Sequence, residues 1–206
     1  HRSITFFPEG KAEGFGGTRL AYCHAPQGLD FGVLRSTLDF AARTFGESPV
    51  AVSTSHGAAI FSSAGISLWT TLPQYERKPL PVDFDTPHMV TLDRKALLEG
   101  LGLMVVIKEG DDVPVRIDVV RGELYMHASS PGQGMVATAI PVDGELPYAS
   151  GFTLSHIRDV LTRCSGEKVT IGFSAEPNRP IRVVEGSVTH ITNPNRKAVE
   201  MNRVDL

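Results

Sequence analysis

The sequence is poor in the residues that small secreted or metal-built proteins rely on. Its two cysteines, Cys23 and Cys164, lie far apart with no C-x-x-C spacing. That excludes a disulfide framework, fits a reducing compartment, and makes a cytoplasmic protein the expectation. The seven histidines include no H-x-x-x-H pair and no neighbouring cysteine cluster, so no zinc site is expected. No apolar run approaches the roughly 20 residues of a membrane span, and the first residues show no signal-peptide pattern. Strong basicity is also missing: 20 Lys and Arg face 23 Asp and Glu, a net charge of -3. An all-round nucleic-acid-attracting surface is thereby excluded, but a basic lining on one enclosing face is not.

Catalytic signatures are equally scarce. Cys23 and His24 are neighbours on a strand-like run, where successive side chains point to opposite faces and cannot form a nucleophile–base pair. The "GFGG" at Gly14 is followed by no Lys-Ser/Thr and reads as a turn. The acidic Glu109–Asp112 reads as a solvated turn rather than a magnesium site. No nucleophile, acid–base pair or metal cluster stands out, so no enzyme activity and no cofactor are expected. Trp69, the only tryptophan, is expected to pack within a sheet.

What the chain does have is repetition. With 41% hydrophobic and 21% charged residues its composition is that of a globular protein, and 206 residues allow one large domain or two of about 100 residues. From Phe31, Leu34, Leu38, Ala41, Ala42 and Phe45 recur at helical spacing, Gly46 stops the helix, and Val50 and Val52 alternate as a strand. From Gly151, Ile157, Val160, Leu161 and Cys164 form the stripe, Gly166 follows, and Val169, Ile171 and Phe173 alternate. Phe31 to Phe152 and Pro73 to Pro194 are both 121 positions. A third copy starts at "HMVTLDRKALLEGLGL", with a helix from about Arg94 and three alternating strands after it. The opening "SITFFPEGKAEGF" reads as the strand end of a fourth copy, with Ile4, Phe6 and Gly10 matching Ile117, Val119 and Gly122.

The unit is strand, helix, three strands, and pairs of units predict an α+β fold: antiparallel sheets with helices on one side. Expected limits are a partial domain over 1–86 and a complete one over 87–206, joined through the Pro-rich "YERKPLPVDFDTP". Repeated domains imply a quasi-symmetric assembly.

Taken together, "GFTLSHIRDVLTRCSGEKVTIGFS", "VTLDRKALLEGLGLM", "GGTRLA" and "TNPNR" resemble the bacterial sliding clamp family, the beta subunits of DNA polymerase III. The resemblance covers nearly all the chain: residues 1–86 resemble most of a clamp's second domain, and 87–206 its third. It implies a non-catalytic processivity factor on double-stranded DNA, without sequence preference, with ring closure as a homo-oligomer if a full-length chain exists. The helix residues Arg35, Arg43, Arg94, Lys95, His156, Arg158 and Arg163 would then face DNA phosphates. Their spacing fits the solvated face of amphipathic helices equally well.

The resemblance also implies a groove for Q-L-x-L-F peptides of polymerases and clamp loaders. Its walls would be Thr18, Arg19 and Leu20; Pro73, Lys78 and Pro79; Thr153, His156 and Pro180; and Ile191, Asn193, Pro194, Asn195 and Arg196. Three departures bear on it: Thr18 stands where clamps have His or Tyr, Asn193 and Asn195 stand where they have apolar residues, and "KAVEMNRVDL" continues past Arg196. Two amides in that wall should weaken apolar anchoring. These departures motivate an alternative expectation, a clamp-derived peptide-binding module that no longer encircles DNA.

Overall fold

The computed structural model describes residues 3–15, 19–72, 85–107 and 113–201. It divides into two compact units, His1–Val82 and Asp83–Leu206. In the first, a four-stranded antiparallel sheet is ordered β3-β2-β1-β4, from β1 (Ser3–Phe7), β2 (Lys11–Phe15), β3 (Arg19–His24) and β4 (Phe31–Leu34). Helix α1 (Arg35–Phe45) follows and ends at Gly46, whose N–H still donates to Ala42 O at 2.9 Å and whose positive φ then turns the chain out of the helix. Strands β5 (Ala51–Ser55), β6 (Ala58–Ser63) and β7 (Ile66–Thr71) make a second antiparallel sheet. The core between them is small: Phe31, Val33, Ala41, Phe45, Ala59 and Phe61, with the ring of Phe6 tilted against that of Phe31 at 5.0 Å between centroids.

In the second unit β8 (His88–Asp93) leads into α2 (Arg94–Met104) and then β9 (Pro114–Val120), β10 (Glu123–Ser130) and β11 (Gly134–Gly144). The unit then repeats: β12 (Ser150–Thr153), α3 (Leu154–Leu161), β13 (Lys168–Phe173), β14 (Ile181–Glu185) and β15 (Val188–Thr192). A short helix, α4 (Arg196–Glu200), comes last. The strands run β12-β9-β10-β11-β8-β13-β14-β15, all antiparallel. Strand β11 is the joint: Gly134–Pro141 pairs with β10, and Val142–Gly144 turns to pair with β8.

Both helices press their stripes on the sheets. Leu97, Leu101 and Met104 of α2 and Ile157 and Leu161 of α3 are fully buried with Ile117, Leu124, Met126, Ile171 and Phe173. Each such side chain is worth about 1.5–3 kcal/mol of burial. This is the α+β arrangement, with helices on one side of antiparallel sheets, that the repeated units predict.

The repeats share one order of elements, with a correction to their register. Glycines with positive φ close matching hairpins at Gly65 and Gly186, 121 positions apart. The helix N-caps Leu34 and Thr153, however, are 119 apart. Val33 lies opposite Ile4, and Phe152 lies opposite Val115, so Val33 rather than Phe31 takes the place of Phe152. Likewise Ile4 answers to Val115, not Ile117. A slip of two keeps every side chain on its own face of the sheet, which is why alternation alone could not reveal it.

Trp69 also departs from expectation. It lies on the solvent side of β7 opposite Ile60 and is 66% exposed.

Candidate functional site

In the second unit, the chain ends of β12 and β15 converge. The side-chain amide of Asn195 donates from Nδ2 to Thr153 Oγ1 at 3.1 Å, and its Oδ1 accepts from Lys197 N at 3.1 Å. Asn195 N donates to Gly151 O at 3.0 Å. Thr192 Oγ1 stands 3.5 Å from His156 Nδ1 on the first turn of α3. Ile181 pairs with Thr192, which places Pro180 at the same end of the ladder as Asn193. The structure thus brings Thr153, His156, Pro180, Ile191, Asn193, Pro194 and Asn195 to one end of the unit. Ile191 and Thr153 are buried, Pro180, Pro194 and Asn195 are partly covered, and Asn193 and Arg196 are exposed.

The sequence offered no reason for Asn195 beyond polarity. Here the residue has a structural task, because it is the N-cap of α4. Thr153, the N-cap of α3, makes no capping bond of its own and presents its hydroxyl to Asn195. Four further residues complete this end. Ala198 of α4 is fully buried over Gly151, where an added Cβ would come within 2.4 Å of the Ala198 Cβ. Arg116 on β9 donates from Nη1 to Val199 O and Met201 O at 2.8 and 2.6 Å, and is held by Asp118 through Nε and Nη2 at 2.8 and 3.1 Å. An Arg-x-Asp pair on one strand face is visible in the sequence, but its target is not.

Of the first unit's wall, Leu20 is buried on β3 and Arg19 opens that strand. Thr18, Pro73, Lys78 and Pro79 lie outside the described residues.

The helix cations divide by environment. Arg35, Arg43, Lys95, Arg158 and Arg163 are exposed. Arg35 and Lys95 each pair with an acid one turn on, at 3.5 Å to Asp39 and 3.9 Å to Glu99, and Arg43 Nε donates to Asp39 O at 3.1 Å. Arg94 differs: its guanidinium points inward, donating to Gly166 O and Leu161 O.

Three groups with perturbed titration, Cys164, Glu185 and His190, lie beyond the far end of α3. Glu185 is held below the usual carboxylate range by the backbone N–H of Gly166, opposed by desolvation and helped by Ser165 N–H. Burial pushes the Cys164 thiol up to about 11, with the Glu185 charge adding to it. Burial pushes His190 down, and the Arg163 charge does the same. Among the described residues no group of three or more His, Cys, Asp or Glu could hold a metal ion. No described helix is long and apolar enough to cross a membrane.

These elements, two strand–helix–three-strand repeats with helices on one side of antiparallel sheets, define the fold of the DNA sliding clamps. The beta sliding clamp of Pseudomonas aeruginosa bound to griselimycin matches with a TM-score of 0.80 at 20% identity, covering 95% of this chain and 57% of that one. A Caulobacter crescentus beta sliding clamp matches at 0.78 and 21%, with the same coverage of 95% and 57%. A putative DNA polymerase III beta subunit from Eubacterium rectale matches at 0.76 and 16%, again 95% and 57%. The chain therefore spans under three fifths of the length of these clamps. No family model matches the sequence, and no curated protein does.

Proposed function

We propose that the chain is a non-catalytic module of a DNA sliding clamp, which tethers polymerases and repair proteins to DNA by docking their short peptides. The observation that carries the reading is the gathering of Thr153, His156, Ile191, Asn193 and Asn195 at one end of a clamp-like domain. A Pseudomonas aeruginosa clamp of the same fold is itself bound to a ligand, griselimycin. Pro180, at the same end of the β14–β15 ladder, would add to that wall. A few apolar contacts in such a groove give roughly micromolar affinity, about -8 kcal/mol, which permits exchange of partners.

Double-stranded DNA is the second partner, held without sequence choice by Arg35, Arg43, Lys95, Arg158 and Arg163 when a ring closes. Arg94, which the clamp resemblance also assigns to DNA, is left out of that set because its Nε and Nη1 donate to the carbonyls of Gly166 and Leu161. Such contacts are counterion-dominated and fall with salt. The test is retention on circular against linear DNA: salt-sensitive retention on circles alone supports encirclement, and equal behaviour on both removes it. A Q-L-x-L-F peptide titration, with Arg19→Ala beside the parent, tests the groove.

The second reading is a clamp-derived peptide-binding module that does not encircle DNA. Asn193 and the tail beyond Arg196 favour it, because clamps place hydrophobes and a chain end there. Peptide binding without DNA retention in any form of the protein selects this reading.

A further inference from the structure

Helix α4 has five residues, far below the roughly 12–15 at which an isolated helix is even marginal in water. Its existence therefore depends on what it rests upon. Three supports are visible: the Asn195 cap, the buried Ala198 on Gly151, and Arg116 donating to the carbonyls of Val199 and Met201. The carbonyls at a helix C-terminus carry partial negative charge and lack helical donors, so a guanidinium there supplies both charge and hydrogen bonds. Arg116 is itself fixed by the two-point pair with Asp118, both largely buried. Strand β12 is paired with β9 on one side. On its other side, Asn195 N–H takes the Gly151 carbonyl.

We propose that Asn195–Met201 is a displaceable strap, latched by Arg116, which covers the outer edge of β12 and regulates the peptide groove. This rests on the groove reading above for its ligand, not for the latch. With the strap docked, the Asn195 amide is consumed by Thr153 and Lys197, and the Gly151 carbonyl is taken. With the strap released, the Asn195 side chain and the β12 edge become available to a ligand backbone, the groups that strand-adding peptides use. The docked state is the closed one.

The test uses hydrogen exchange on the whole chain, the Arg116→Ala variant, and a chain ending at Asn195 that leaves the Arg116–Asp118 pair untouched. Expected is at least a tenfold loss of protection in residues 196–201 of R116A and at the Asn195 amide of both altered chains, with α2 and β13 unchanged. A Q-L-x-L-F peptide should bind the shortened chain about fivefold or more tightly than the parent, a coupling of ordinary allosteric size. Unchanged exchange at 196–201 in R116A, or equal peptide affinity of the parent and shortened chains, overturns the strap. Exchange as expected with no peptide binding by any chain upholds the latch and removes the peptide reading instead.

Discussion

Arg94 on α2 donates Nε–H to the carbonyl oxygen of Gly166 at 2.7 Å, tying the start of one helix to the loop after the other. A second bond from Nη1 to Leu161 O at 3.2 Å and a backbone bond from Arg94 N to Glu167 O at 2.8 Å complete the tie. The two carbonyls belong to the end of α3 and the turn that follows it, where the helix has no donors of its own.

Arg94→Ala is expected to cost about 2 kcal/mol, since a hydrogen bond from a charged donor is worth about 1.5–3 kcal/mol. Melting should fall by about 4–8 °C, at roughly 2–4 °C per kcal/mol for a chain of this size. Lys95→Ala, next door but 83% exposed with only a 3.9 Å pair to Glu99, should shift it by no more than about 1–2 °C. Differential scanning calorimetry of the two variants checks the contrast; equal losses would refute it.

Gly144 sits where β11 crosses to β8, with a φ of +125 and an imagined Cβ 2.0 Å from Met89 O. Gly144→Ala meets both backbone strain and a collision with main chain that cannot rotate away. A loss of about 3 kcal/mol or more is expected in urea unfolding. Gly102→Ala, on an open helix face, is the control: it should gain about 0.5–1 kcal/mol.

His190 is held neutral in the folded chain by burial and by Arg163. As pH falls below about 6.5, the unfolded chain takes the proton first, so stability declines until His190 itself titrates at its lower folded value. Thermal melts of the parent and His190→Gln between pH 7.5 and 5 should therefore converge at the acid end. A constant gap between the two curves would refute the assignment.

Cys164 is buried with a thiol pushed up to about 11, whereas Cys23 is only half covered. Reactivity follows thiolate and access. Iodoacetamide at pH 8 should label Cys23 at least about tenfold faster than Cys164 in the native protein, and both equally in urea. Peptide mass spectrometry reads the ratio.

The helices were legible because their stripes are local: Leu97, Leu101, Ile157 and Leu161 announce a face at a spacing any three turns reveal. Gly46 and the start at Arg94 were legible for the same reason. The repeat register was not, since a two-residue slip leaves a strand's alternation intact. Trp69 misled because composition favours burying a tryptophan, and only the pairing of β7 shows which face it occupies. Of the site, Thr153, His156 and Ile191 came from motif resemblance. The tasks of Asn195, Gly151 and Arg116 could not, because their partners lie 42, 47 and 83 residues away.

By itself the sequence determined the order of the strands and the three amphipathic helices, the duplication, and which faces are apolar, because those are properties of neighbouring residues. The tertiary structure alone decided that Arg94 turns inward, that Asn195 starts a helix and that Arg116 ends it. Each of those outcomes is a hydrogen bond closed between segments far apart in the chain, and local periodicity carries no record of such closure.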